Sequence, residues 1–388
     1  MTFANFSVKQ FLAEYWQRKP LLIKGALPGF ADPLSPEELA GLACEPEVES
    51  RLVTTKGKHY QLQTSPFEES DFTSLPEQHW TLLVQAVDQF VPEVKALLES
   101  VAFIPSWRVD DVMISYATAG GGVGPHFDYY DVFLVQGMGK RIWKTGQLCS
   151  PGDEQITSSG LKLLAQFDTR AEYHLDPGDV LYVPPGVAHW GIAENDSLCY
   201  SLGFRAPSHS EMLLGFTDAL ADNLLPDQRF QDPQLRPDAI PGEITPAALH
   251  FVRQTIRKAM QNDALLARWF GTMQTEPRYP ELLRPRPRAT LKNASMLVPA
   301  PASRFAWTEQ DNQLLLFVNG QCVTLPTQAT LRRLLPLLCG HGVPFATNPF
   351  LRATSSRKLL EHLLKTGALL EVKPALRHIA PKGNQQEK

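Results

Sequence analysis

Apolar residues at Phe6, Val8, Phe11, Leu12, Tyr15 and Trp16 recur at helical spacing, and Pro20 closes the segment before a strand-like Leu21-Leu22-Ile23. Ser35-Pro36-Glu37-Glu38 reads as a helix start: Ser35 caps, Pro36 fits the first turn and Glu38 closes a capping box. Further helices are predicted over 80–90 and from Pro92 to about Ser100, so the chain before residue 108 reads as a helical packing segment. From Arg108 to Arg205 the pattern shortens to strands between Gly- and Pro-rich turns. They are predicted over 112–116, 131–135, 141–144, 180–183 and 197–204. Such spacing indicates a β-sandwich or barrel, and a jelly roll suits a site opening at one end.

After Pro207 the periodicity is helical again, over 211–225 and 245–270, around a Pro-rich connector from Pro226 to Pro241. Two amphipathic helices on a connector mark either a dimer interface or an interdomain spacer. A Pro- and Arg-rich linker, 277–287, leads to a last unit with helices predicted over 330–339 and 355–366 and strands over 314–318, 323–325 and 369–372. Helices followed by a terminal β element fit a winged helix. The class is α+β. A catalytic unit spans 1–207, with its jelly roll at about 108–205, followed by a helical segment at 208–275 and a winged-helix-like unit at 276–388.

Composition changes this picture little. Hydrophobic residues are 43% and charged ones 20% of 388, ordinary for a globular protein. No apolar run approaches a membrane span and the first residues lack the parts of a signal peptide, so no membrane association and a cytoplasmic location are expected. Five dispersed cysteines read as reduced thiols. Charge is more informative. From Glu281 onward 15 Lys/Arg face 6 Asp/Glu although the whole chain carries -4, so a basic back follows an acidic front.

The chemistry gathers at Ala119–Asp128, a glycine-rich, sterically open loop that ends in His126-Phe127-Asp128. On an extended strand, side chains two apart share a side, so this imidazole and carboxylate can grip one metal ion. A third ligand is available in His189, 61 residues past Asp128 and just beyond Pro184-Pro185-Gly186. Two histidines and a carboxylate with open positions is the facial set of non-haem Fe(II) oxygenases. The chain holds a decoy, His174-Leu175-Asp176, but it runs into the turn Pro177-Gly178-Asp179 with no third ligand following, and reads as a surface turn. A chelating 2-oxoacid would need a fixed cation for its far carboxylate, and Arg141, thirteen residues past Asp128, is placed for it, with Ser115 and Tyr116 as hydroxyl donors on the preceding strand.

These residues resemble the motif of the JmjC-type 2-oxoglutarate oxygenases. The stretches 110–115, 120–133, 177–186 and 200–207, with 15–20 near the start, are similar to the bacterial ribosomal oxygenases in particular. The resemblance covers the chain to about residue 207 and thins beyond it. It implies Fe(II) on His126, Asp128 and His189, 2-oxoglutarate on Arg141 with Ser115, and O2 as the other cosubstrate. It further implies a homodimer through the helices after Pro207 and hydroxylation of an arginine in large-subunit ribosomal protein sixteen. A guanidinium brought to a buried iron needs an acidic partner. Asp110, Asp111 and Asp131 are candidates for it, and Asp111, Met113, Tyr130 and Ser201 are the expected substrate contacts.

Two rival readings stand beside this one. The same oxygenase chemistry could serve a histidine or a methylated lysine. Alternatively, a cupin sensor joined to a winged-helix DNA reader would make a transcriptional regulator, for which the basic back end argues in part. Arg332-Arg333 and Arg357-Lys358 are too few cations to mark a recognition helix. Nucleic-acid contact by the last unit is left open.

Overall fold

A computed structural model describes residues 2–57, 59–156, 160–233, 235–236, 240–292 and 295–372. The polar tail, with Lys373, Arg377, Lys382 and Lys388 of the basic surplus, lies outside the described residues.

The chain opens with α1 (Val8–Glu14), β1 (Leu21–Ile23) and α2 (Pro36–Ala43), the last begun by the predicted capping box. β2 (Ser50–Lys56) and β3 (His59–Thr64) form a hairpin, followed by α3 (Glu69–Thr73), β4 (Trp80–Val84) and α4 (Pro92–Lys95). The helix expected over 80–90 is thus a strand followed by a 3₁₀ turn. Trp80, Leu82, Leu83 and Val84 form a nearly continuous apolar run because both faces of this strand are covered, and such a run lacks the alternation that identifies a strand.

The β-region contains β5 (Val109–Ala117), β6 (Val132–Gln136), β7 (Arg141–Leu148), β8 (Gln155–Ile156), β9 (Leu163–Leu164), β10 (Ala171–Leu175), β11 (Val180–Val183), β12 (Val187–Ala193) and β13 (Ser197–Phe204). Eight strands form a large sheet in the order β1-β11-β6-β13-β5-β4-β2-β3, and a smaller sheet, β10-β7-β12, faces it. The pairings are antiparallel throughout. The segment before residue 108 therefore supplies four strands of the large sheet, of which the expected Leu21–Ile23 strand is one and β2, β3 and β4 are not foreseen, so the sandwich begins well before residue 108. A layer containing Val132, Leu134, Trp143, Leu181 and Val187 fills the space between the sheets. The outer face of the large sheet is packed by Phe11, Leu39, Leu97, Ile114, Phe133 and Tyr182 with the N-terminal helices.

Three helices follow: α5 (His209–Asp222), α6 (Pro246–Met260) and α7 (Asp263–Thr275). The single helix expected over 245–270 breaks at Gln261-Asn262, where the Asn262 side chain caps α7 by accepting from the Leu265 amide at 3.1 Å. The last unit has β14 (Met296–Pro299), β15 (Phe305–Gln310), β16 (Gln313–Val318), β17 (Gln321–Pro326), α8 (Ala329–Leu338), β18 (Phe345–Ala346), α9 (Thr354–Lys365) and β19 (Leu369–Glu371). Its own core includes Leu316, Leu331, Leu335, Leu360 and Leu363. It joins the sandwich through Trp107, which packs against the apolar cluster of Ala306, Leu315 and Phe317, and through charged donors. Arg304 donates to the Val109 and Asp110 carbonyls, and Lys95 donates to the Pro301 carbonyl at 2.5 Å. No helix among the described residues is long and apolar enough to cross a membrane.

Candidate metal centre and its cavity

His189 lies on β12 of the small sheet, just past an irregularity in its pairing with β7. His126 and Asp128 lie outside regular strand, in the loop between β5 and β6, so the extended strand expected for them is not there. What aligns them instead is an isolated two-bond bridge. His126 N–H donates to the His189 carbonyl at 3.1 Å, and His189 N–H donates to the His126 carbonyl at 2.8 Å. The preceding glycines are not sterically open either. A Cβ on Gly122 would sit 2.4 Å from the Gly191 carbonyl oxygen, and Gly124 holds a φ of +82°. Glycine here lets the loop press against β12 and brings the ligands to the small sheet.

One donor atom from each of His126, Asp128 and His189 lies within 4.8 Å of the others, and this is the metal-competent group found among the described residues. In both histidines Nδ1 is 2.9–3.0 Å from a backbone oxygen, that of Gly124 for His126 and of Val187 for His189. With Nδ1–H donating there, Nε2 is free as a lone-pair donor, the usual outer-shell arrangement of a ligating histidine. His189 Nε2 is 3.5 Å from Asp128 Oδ2. Burial, assisted by His126, lowers the His189 pKa to about 4, so the imidazole is neutral near pH 7, the form that binds metal. Two imidazoles and a carboxylate fit a divalent transition ion with positions left over. The decoy does not assemble such a set. His174 ends up on β10, beside Glu172, and Asp176 pairs with Lys24 and Lys140.

The group opens into a cavity of about 630 Å³ between the sheets. Arg141, 5% exposed, starts β7 in the small sheet and reaches across to the large one. Its Nη1 donates to Ser115 Oγ at 2.8 Å and Nη2 to the Ser115 carbonyl at 2.8 Å. Nε donates to Ser197 Oγ at 2.9 Å and Nη2 also to the Ser197 carbonyl at 3.0 Å. No carboxylate among the described residues is within ion-pair distance of this guanidinium. Burial lowers its pKa. A buried cation held by neutral groups and facing a cavity is short of an anion. A carboxylate of a small 2-oxoacid would satisfy it.

Asp111, Met113, Tyr130 and Ser201 line the same cavity as the metal group and Arg141. Met113 and Ser115 follow Asp111 at alternate positions on β5, and Ser201 is paired with Met113 from β13. Tyr116 is on the other face of β5, against Trp80, and cannot serve the Arg141 site. Asp131 is not a substrate carboxylate. It is fully buried, accepts from Tyr182 Oη at 2.6 Å and from Gln17 Nε2 at 3.0 Å, and lies 3.4 Å from Arg108. Asp110 pairs with Arg205 at 3.1 Å and Arg304 at 3.8 Å. Glu49, Arg51, Gln85 and Arg278 also line the cavity and were missed in the sequence, as was Ser197 beside Arg141. Arg278 sits in the Pro- and Arg-rich linker, where nothing local distinguishes it from Arg284 or Arg286.

Comparison with known proteins agrees with this arrangement. A JmjC domain model matches residues 96–212, and a ROXA-like winged helix model matches 258–343. The chain is 38% identical over 269 residues to the ribosomal protein uL16 3-hydroxylase of Escherichia coli K12, covering 69% of this chain and 71% of that one. It superposes on the X-ray structure of Escherichia coli YcfD with a TM-score of 0.86 at 31% identity, over 96% of this chain and 100% of that one. For YcfD, a ribosomal oxygenase, in complex with cobalt and 2-oxoglutarate, the TM-score is 0.82 at 31% identity, over 95% and 99% of the two chains.

Proposed function

The chain belongs to the JmjC-domain ribosomal oxygenases, and on that footing we propose that it hydroxylates carbon 3 of an arginine in ribosomal protein uL16, using Fe(II), 2-oxoglutarate and O2. The observation that carries the reading is the single cavity shared by the His126–Asp128–His189 group, the unpaired Arg141 and the Asp111 carboxylate. His126, Asp128 and His189 would hold the iron. When bound, the metal supplies activation of O2 coupled to oxidative decarboxylation of 2-oxoglutarate to succinate and CO2.

This chain's residues supply the positioning. Arg141 takes the far carboxylate of 2-oxoglutarate, and Ser115 and Ser197 fix the plane of its guanidinium. Asp111 receives the substrate guanidinium, while Met113, Tyr130 and Ser201 shape the approach.

The helical segment supports a homodimer, and the family's ribosomal substrate supports a cytoplasmic location. On α6, Leu249, Val252 and Ile256 share a face and are 45–54% exposed; Leu213 and Leu214 of α5 are 58% and 67% exposed. The regulator reading loses ground, since Arg332 is paired with Glu309 and Arg357 with Glu361.

Mass spectrometry of uL16 after aerobic incubation with the protein, Fe(II) and 2-oxoglutarate tests the proposal. A single-oxygen gain on one arginine is expected, absent with His126→Ala. No gain with iron-loaded protein would refute this substrate.

A further inference from the structure

Arg278 reaches the cavity from outside the sandwich, on the segment after α7. Its Nη1 donates to Asp111 Oδ2 at 3.2 Å and lies 3.6 Å from Asp110 Oδ2, and its Nη2 donates to Glu49 Oε2 at 2.9 Å, so one guanidinium spans three carboxylates. Gln85 Nε2 donates to the same Asp111 Oδ2 at 2.7 Å. The other oxygen, Oδ1, has no hydrogen-bond partner among the described residues. It lies toward Gly203, where a Cβ would come 3.7 Å from Oδ1 and 4.0 Å from the Tyr130 ring.

Resting on the arginine-hydroxylase reading, we propose that Arg278 is a positioning residue of the substrate pocket: it aims Asp111 by holding Oδ2 and leaves Oδ1 to the substrate guanidinium.

The charges around Asp111 show why such a residue is needed. Asp110 on the same strand and Asp88 from the turn after β4 oppose ionisation, and Glu49 ahead of β2 is a further carboxylate at the cavity. Arg278 and Arg304 from the start of β15 favour it, and Arg51 on β2, Tyr130 and Tyr279 complete the titratable surroundings. Burial, then Asp110 and Asp88, pushes the Asp111 carboxyl up to about 7, with Gln85 and Arg278 pulling it back. Removing Arg278 takes away one of the two groups that pull the carboxyl back toward its charged form, and so weakens its hold on a guanidinium.

The backbone places Arg278 firmly. It stands between Pro277 and Pro280, whose rings fix φ on either side. Arg205 donates to the Met273, Gln274 and Glu276 carbonyls while paired with Asp110, which ties the end of α7 to the pocket strand.

Kinetics of the whole protein on uL16, from about pH 6 to about pH 9, test this. Arg278→Met is expected to raise KM about tenfold at neutral pH, with a smaller change in kcat, and to move the acid limb of kcat/KM to higher pH. Arg278→Lys keeps the charge and should return the limb toward its original position. Asp111→Asn should raise KM and flatten the limb. An unchanged KM and pH profile in Arg278→Met, with Asp111→Asn impaired, would overturn the proposal and leave the arginine reading intact. A lower KM in Arg278→Met would also overturn it, because Arg278 would then be competing with substrate. An unaffected Asp111→Asn would defeat the arginine reading itself.

Discussion

Arg141 and Ser115 are joined twice, through the serine hydroxyl and through its carbonyl, each at 2.8 Å. The two residues belong to opposite sheets, so the guanidinium plane is fixed by the sandwich and not by its own chain. Ser115→Ala removes one of these bonds and is expected to raise the KM for 2-oxoglutarate by roughly three- to tenfold. Arg141→Met, which removes the charge, should raise it about a hundredfold or more. Succinate release measured against 2-oxoglutarate concentration distinguishes the two, and equal effects would mean the carboxylate sits elsewhere.

Tyr182 and Asp131 divide stability from recognition. Tyr182 Oη donates to Asp131 at 2.6 Å and accepts from the Gln17 amide at 2.7 Å, with neither side chain exposed. Tyr182→Phe leaves both partners short of a bond and should cost about 1–3 kcal/mol in chemical denaturation. The KM for the protein substrate should stay the same. A several-fold shift in KM at unchanged stability would return Asp131 to the substrate site.

Acid should loosen the seam between the sandwich and the last unit. Burial, then Lys95, lowers the pKa of His341 from 6.5 to about 4, opposed by Glu99. A depressed folded-state pKa means the neutral form fits the fold. Its contribution is present above about 6.5 and is lost as pH falls through about 4, amounting to roughly 3 kcal/mol at most. Denaturation between those values should show a steeper loss for the wild type than for His341→Asn. Parallel curves would rule His341 out as the titrating group.

Leu249, Val252 and Ile256 leave an apolar face of α6 exposed in the single chain. If that face is covered by a second copy, Leu249→Asp with Ile256→Asp should halve the mass seen by light scattering. An unchanged mass would remove α6 from the dimer interface.

The metal-competent group and Arg141 stand out in the sequence because each sits in a short stretch with its own punctuation. His126 and Asp128 close a glycine run, His189 follows Pro184-Pro185-Gly186, and Arg141 follows Gly137-Met138-Gly139. What brings them together was not legible: the His126–His189 bridge depends on Gly122 passing against Gly191, a contact between segments far apart in sequence. β4 was hidden by burial on both faces, since Thr81 and Leu83 line the cavity while Leu82 and Val84 enter the core. Asp131 resembled a site residue by proximity to the ligands, but its side chain is held within the fold by Tyr182 and Gln17.

The Arg278–Asp111 contact joins residues 167 positions apart. The whole His126–Asp128–His189 group lies on one side of residue 207, whereas Arg278, in the wall of the same cavity, comes from beyond it. Recombination at that junction would pass on the reactive centre unaltered and exchange the neighbour of Asp111. Such a lineage would keep its metal group and Asp111 while the setting of that carboxylate changed.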